Sequence, residues 1–94
     1  MRDLPAGKQT EHMRKIYVDV EVRWNKDGSL IPLAVWWLQG IDEWERYEID
    51  QVLSGPILCA ALTGGTARRY EVKIGRGRRF LYLDDNRWFL ETNR

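Results

Sequence analysis

From Ile16 to Trp24 the chain alternates strictly. Ile16, Val18, Val20, Val22 and Trp24 fall on one side, and Tyr17, Asp19, Glu21 and Arg23 on the other. Successive side chains of an extended backbone point to opposite faces, so a period of two, rich in β-branched residues, fits a strand and not a helix. One apolar and one polar side make it a half-buried strand of an antiparallel sheet. Asn25-Lys26-Asp27-Gly28 follows, and its Asp-Gly pair is a hairpin turn signal.

Once one strand is fixed, the rest of the chain reads in the same terms. A second strand is expected from about Leu30 to Leu38, with Ile31, Leu33, Val35 and Trp37 on its more apolar face and Pro32, Ala34, Trp36 and Leu38 on the other. Pro32 lacks a backbone donor, which suits a strand start or a sheet edge. Gln39–Glu45 reads as a polar loop, and Arg46–Leu53 as a third strand with Tyr47 and Ile49 inward and a bulge or bend at Val52. Ser54-Gly55-Pro56 is punctuation, and the apolar run Ile57–Leu62, closely bracketed by glycines, is taken as a strand over a helical turn. Arg69–Ile74, Arg79–Leu83 and Arg87–Glu91 complete the set, separated by turns at Gly75–Arg78 and Asp84–Asn86.

Six or seven short strands with no convincing helix predict an all-β fold. Short strands gain most by curling, which buries a core and most of the edges. The expected architecture is a small antiparallel barrel or strongly coiled sheet of SH3-like or OB-like size. At 94 residues there is room for one domain, expected over residues 15–94, with residues 1–14 a loose polar arm. Five Trp and four Tyr supply large rings to fill a small core.

Composition narrows the function classes. The net charge of +1 gives no overall drive toward acidic or basic partners. Charge is nevertheless blocked: Asp42, Glu43, Glu45, Glu48 and Asp50 against Arg46, then Arg68, Arg69, Lys73, Arg76, Arg78 and Arg79 against Glu71. Whether folding pairs or separates these blocks is left open by the sequence. The N-terminal residues have no apolar core of a signal peptide, and no apolar run approaches the ~20 residues of a membrane helix. With one cysteine and no internal disulfide, a reducing cytoplasmic setting is expected.

Enzyme equipment is sparse. The single histidine, His12, lies in the arm, and the single thiol, Cys59, lies in the most apolar run, where it is expected to be buried and structural. One Cys and one His make no zinc site in one chain. The acidic block reads as a solvated strand face, and Gly75-Arg76-Gly77-Arg78-Arg79 lacks the Lys-Ser/Thr and helix of a phosphate loop. No catalytic residue, cofactor or metal is therefore expected.

Two surfaces stand out. If Trp37 faces the core, Trp36 faces away, and with Ala34 and Leu38 it forms a candidate protein contact or symmetric dimer surface. The basic hairpin, with Arg69, Lys73, Arg76, Arg78 and Arg79 and an exposed ring such as Tyr82, is a candidate platform for single-stranded nucleic acid. The leading expectation is a non-enzymatic binding module for a protein partner or its own copy, with no membrane. The alternative is a single-stranded nucleic-acid-binding barrel.

The patterns Val18-x-Val20-x-Val22, Tyr47-x-Ile49-Asp50, Arg69-Tyr70-x-Val72-x-Ile74, Leu81-Tyr82-Leu83-Asp84 and Arg87-Trp88-Phe89-Leu90-Glu91 resemble short uncharacterised bacterial proteins. The resemblance implies a single small β domain and carries no catalytic residues. More distantly the chain is similar to small domains linked to bacterial translesion polymerases, which would imply an accessory role in DNA repair.

Overall fold

The computed structural model describes residues 13–92. They form seven strands: β1 (Arg14–Trp24), β2 (Leu30–Gly40), β3 (Glu43–Glu48), β4 (Gln51–Ala60), β5 (Thr66–Ile74), β6 (Gly77–Asp84) and β7 (Arg87–Thr92). Every neighbouring pair is antiparallel, in the order β3-β2-β1-β7-β6-β5-β4. The sheet is all-β and curls strongly into a half-barrel. Residues 1–12 of the expected arm lie outside the described residues, and Arg14 already pairs with Thr92 in β1.

The inner face holds the main core. Val18, Val35, Tyr70, Val72, Leu81, Leu83, Trp88 and Leu90 are buried together, with Ile16, Val20, Leu30, Trp37, Ile49 and Ile74 packed against them. These side chains come from β1, β2, β5, β6 and β7, with Ile49 from the chain between β3 and β4, so the core closes only when the sheet curls. Tyr70 lies 5.5 Å from the Trp88 ring, and its hydroxyl donates to the Leu30 carbonyl at 3.2 Å.

A smaller cluster lies on the outer face. Phe89 stacks on Tyr82 at 4.9 Å and 4°, with Ala61, Ala67 and the half-buried Cys59 around them. The turn between β4 and β5 is tied down beside these rings. Thr63 donates from its amide and hydroxyl to Glu91 at 2.7 and 2.8 Å, and Lys15 Nζ donates to the Gly64 carbonyl while standing 4.6 Å from the Phe89 ring. Cys59 is thus less buried than its apolar run suggests.

Three expectations from the sequence need correction. First, a bulge makes Leu33 an extra residue in β2: Glu21 pairs with Ala34, but Val22 pairs with Pro32. Below it the phase reverses, so Pro32 and Leu30 share a face with Val22 and Trp24, and Ile31 turns away with Arg23. Pro32 is accordingly buried, while Trp24, at the hairpin end, is 72% exposed. Second, Gln39–Glu45 is not a loop. β2 runs to Gly40, a two-residue turn at Ile41-Asp42 follows, and Trp44 and Glu45 belong to β3. Third, Arg46–Leu53 is not one strand. It breaks at Ile49-Asp50, and Ser54-Gly55-Pro56 lies inside β4, at register shifts between Val52 and Ser54 and between Ser54 and Ile57.

The break positions the site. β3 and β4 are consecutive in sequence but lie at opposite edges of the sheet. Ile49 and Asp50 bridge them: the Ile49 amide donates to Leu33 of β2, and the Asp50 amide to Lys73 of β5, both at 2.8 Å. The Asp50 carboxylate also accepts from the Gly75 amide at 2.7 Å. The half-barrel is therefore joined at this level by a connector, and beyond it the seam between the two edges stays open.

Candidate functional site

The open seam leads into a cleft of about 700 Å³ on the inner face. Its lining includes Ile16, Trp37, Trp44, Tyr47, Ile74, Arg79 and Leu90, from six different strands. Register explains how residues so far apart in sequence meet. Val35 pairs with both Val20 and Tyr47, so Tyr47 falls on the inner face, and Trp37, two residues on, follows it. Arg79 pairs with Val72, which has no exposed surface, and so shares the inner face of β6 with Leu81 and Leu83. Its guanidinium stands 4.7 Å from the centre of the Trp37 ring. The volume lies within the ~300–1,000 Å³ of small ligand sites, and the lining mixes rings and aliphatic side chains with the polar groups of Tyr17, Tyr47, Arg79 and Thr92.

The outer face next to this cleft is closed by a polar clamp. Glu21 accepts from Trp36 Nε1 at 2.8 Å and from Arg46 Nε and Nη2 at 2.7 and 3.1 Å. These bonds, Arg46 first and Trp36 second, hold the Glu21 carboxyl below its ordinary range. Trp36 does point away from the core, as the register argument requires, but it is half-buried and its only polar atom is engaged. Ala34 sits on the same face between Glu21 and Glu48 and is 0% exposed. Of the expected contact set Trp36, Ala34 and Leu38, only Leu38 is substantially exposed, at 42%, and it lines the cleft. The three do not form one open patch.

The basic hairpin divides in the same way. Arg69, Lys73 and Arg78 lie on the outer face, since Lys73 pairs with Arg78 and alternates with the buried Val72. Arg76 is in the turn, and Arg79 is on the inner side. Tyr82 is 4% exposed, which removes it as a stacking platform. Burial, with its hydrogen bond to Glu91, pushes its hydroxyl up to about 12. The exposed ring is Phe80, 44% accessible, with the Arg69 guanidinium 4.3 Å from its centre. Arg78 approaches Glu71 at 3.7 Å. Among the described residues, the side-chain ion pairs of these blocks are Arg46–Glu21 and Arg78–Glu71, so the basic hairpin does not pair with the carboxylates of β3.

Among the described residues no three of His, Cys, Asp and Glu are grouped to hold a metal ion. No family model, no curated protein and no solved structure matches the chain.

Proposed function

We propose that the protein is a non-enzymatic binding module that takes an extended segment of a partner polypeptide into its open seam. The observation that carries this reading is the juxtaposition of an aromatic cleft with β3, an edge strand of six residues with one side unpaired. A segment laid beside β3 would add an eighth strand. Main-chain hydrogen bonds would supply affinity, and alternate side chains would reach the cleft. Glu43, Glu45 and Glu48 are exposed along β3, which favours a segment carrying lysine or arginine and opposes pairing of β3 with its own copy.

The test is selection of binders from a library of displayed random heptapeptides, followed by mapping of backbone amide and indole shifts. Binders should perturb β3 together with the indoles of Trp37 and Trp44. Failure to select any binder, or perturbation confined to the Phe80 side, overturns the reading.

A second reading has its own support. Arg69, Lys73 and Arg78 lie around the exposed Phe80 on one face, with Glu71 opposite the ring, and basic groups beside an exposed ring are how small barrels hold single-stranded nucleic acid. The distant resemblance to translesion-polymerase-linked domains suits it. Three neutralised phosphates give a log–log salt slope of about −2 on single strands. A flat titration with a labelled oligonucleotide at ~50 mM salt would exclude it, because low ionic strength favours electrostatic binding.

A further inference from the structure

Among the described residues Arg79 is the one cation in the cleft lining, and its environment is unusual for an arginine. Among the described residues its only specific contact is the face of Trp37. Arg46 and Arg87 differ: Arg46 grips Glu21 with two nitrogens, and Arg87, which also lies over a ring, donates to the Tyr17 hydroxyl at 3.2 Å. A guanidinium stacked on an indole keeps its planar fork of donors available at the edge, and that fork matches a carboxylate in two-point geometry.

The shape of the seam specifies which carboxylate. The connector crosses the gap at one end of the seam, where the Ile49 and Asp50 amides donate to the Leu33 and Lys73 carbonyls. An extended segment laid in the seam and directed toward that crossing can end within the cleft. A chain that stops beside an unpaired guanidinium is best ended by a negative group, and an apolar last side chain would rest on Trp37, Tyr47 and Ile74.

We propose that the cleft recognises the free C-terminus of a polypeptide with an apolar or aromatic last residue, whose α-carboxylate pairs with Arg79. This inference rests on the reading of the seam as a polypeptide site. The test compares two random heptapeptide libraries, one displayed with free C-termini and one displayed through the C-terminus. Enrichment from the free-ended library alone is expected. For a selected peptide made synthetically, the acid should bind roughly ten- to a hundredfold tighter than the C-terminal amide, the range set by one charge-assisted pair. Arg79→Gln should abolish the difference between acid and amide. Equal enrichment, equal affinity of acid and amide, or an acid preference that survives Arg79→Gln overturns the carboxylate proposal while leaving the seam reading intact. Absence of binders from both libraries overturns the two together.

Discussion

β4 ends the sheet on one side and β3 on the other, and the two edges are built differently. β4 carries two register shifts, Gly55 at a φ of 105°, and Pro56, which has no backbone donor. Such features bend an edge and deny a neighbour a continuous row of hydrogen bonds. β3 pairs with β2 without a shift from Glu48 to Trp44, and is guarded only by the charges on its side chains. Both edges also present apolar surface, Ile57 and Leu58 on β4 and Trp44 on β3. Backbone geometry disarms one edge, whereas electrostatics, which a partner of opposite charge can overcome, guards the other.

The sharpest way to break this contrast is Gly55→Ala. A Cβ there would run into the Arg69 carbonyl and lie 2.9 Å from Tyr70 Cα, on a backbone that L side chains rarely adopt. Clash and strain together should cost on the order of 3 kcal/mol or more, read as the shift in urea-unfolding free energy. Gly28→Ala, with a similar φ but open space around it, should cost only about 1–2 kcal/mol. Equal losses at the two glycines would mean that close approach to β5 is not what fixes the β4 edge.

A smaller effect tests the guard on β3. Replacing Glu43, Glu45 and Glu48 together by valine should drive self-association, seen as concentration-dependent sedimentation. Ser54→Val on β4 should leave the protein's mass unchanged. A monomeric triple variant would show that those carboxylates do not protect the edge.

The smallest effect concerns the clamp behind β3. Glu21 has its folded pKa depressed from the ordinary 4.5 by Arg46 and Trp36. The charged form is therefore favoured in the folded state, so the clamp's contribution is complete above about 4.5 and is lost as pH falls through the lowered value. Glu21→Gln should flatten the dependence of Tm on pH in that acid range. An unchanged slope would show that the clamp carries no linkage.

The alternation from Ile16 to Glu21 made β1 legible, and the turn residues at Asp27-Gly28, Gly75-Arg76 and Asp85-Asn86 separated most of the other strands. The Asp27 carboxylate caps its turn by accepting from the Ser29 amide and hydroxyl at 2.9 and 2.6 Å. What misled was local backbone irregularity. One extra residue at Leu33 reversed the faces of Pro32 and Ile31, and nothing in side-chain chemistry announces a bulge between two apolar residues. Ile49-Asp50 continues an alternating pattern although the chain there leaves one edge for the other. The cleft was illegible because Trp37, Tyr47 and Arg79 meet only through curling and register. One signal was present: Arg79 alternates with Leu81 and Leu83, which places it on the inner face and separates it from Arg78.

The Ile49-Asp50 connector also divides the sheet by sequence distance. On either side of it the strands form two meanders, β1–β3 and β4–β7, in which every pairing is between consecutive strands. Among the described residues the β1–β7 ladder alone joins them, and there Val18 meets Trp88. Loop closure over so long a separation carries an entropic cost that neighbouring hairpins escape, and chains dominated by such pairings fold more slowly. The two meanders can acquire hairpin order early, each with an incomplete hydrophobic face. The shared core, with Val18 and Val35 from one and Tyr70, Val72 and Trp88 from the other, needs both meanders in place. Mutations within the early hairpin turns should slow folding, whereas mutations at the late β1–β7 ladder should chiefly speed unfolding.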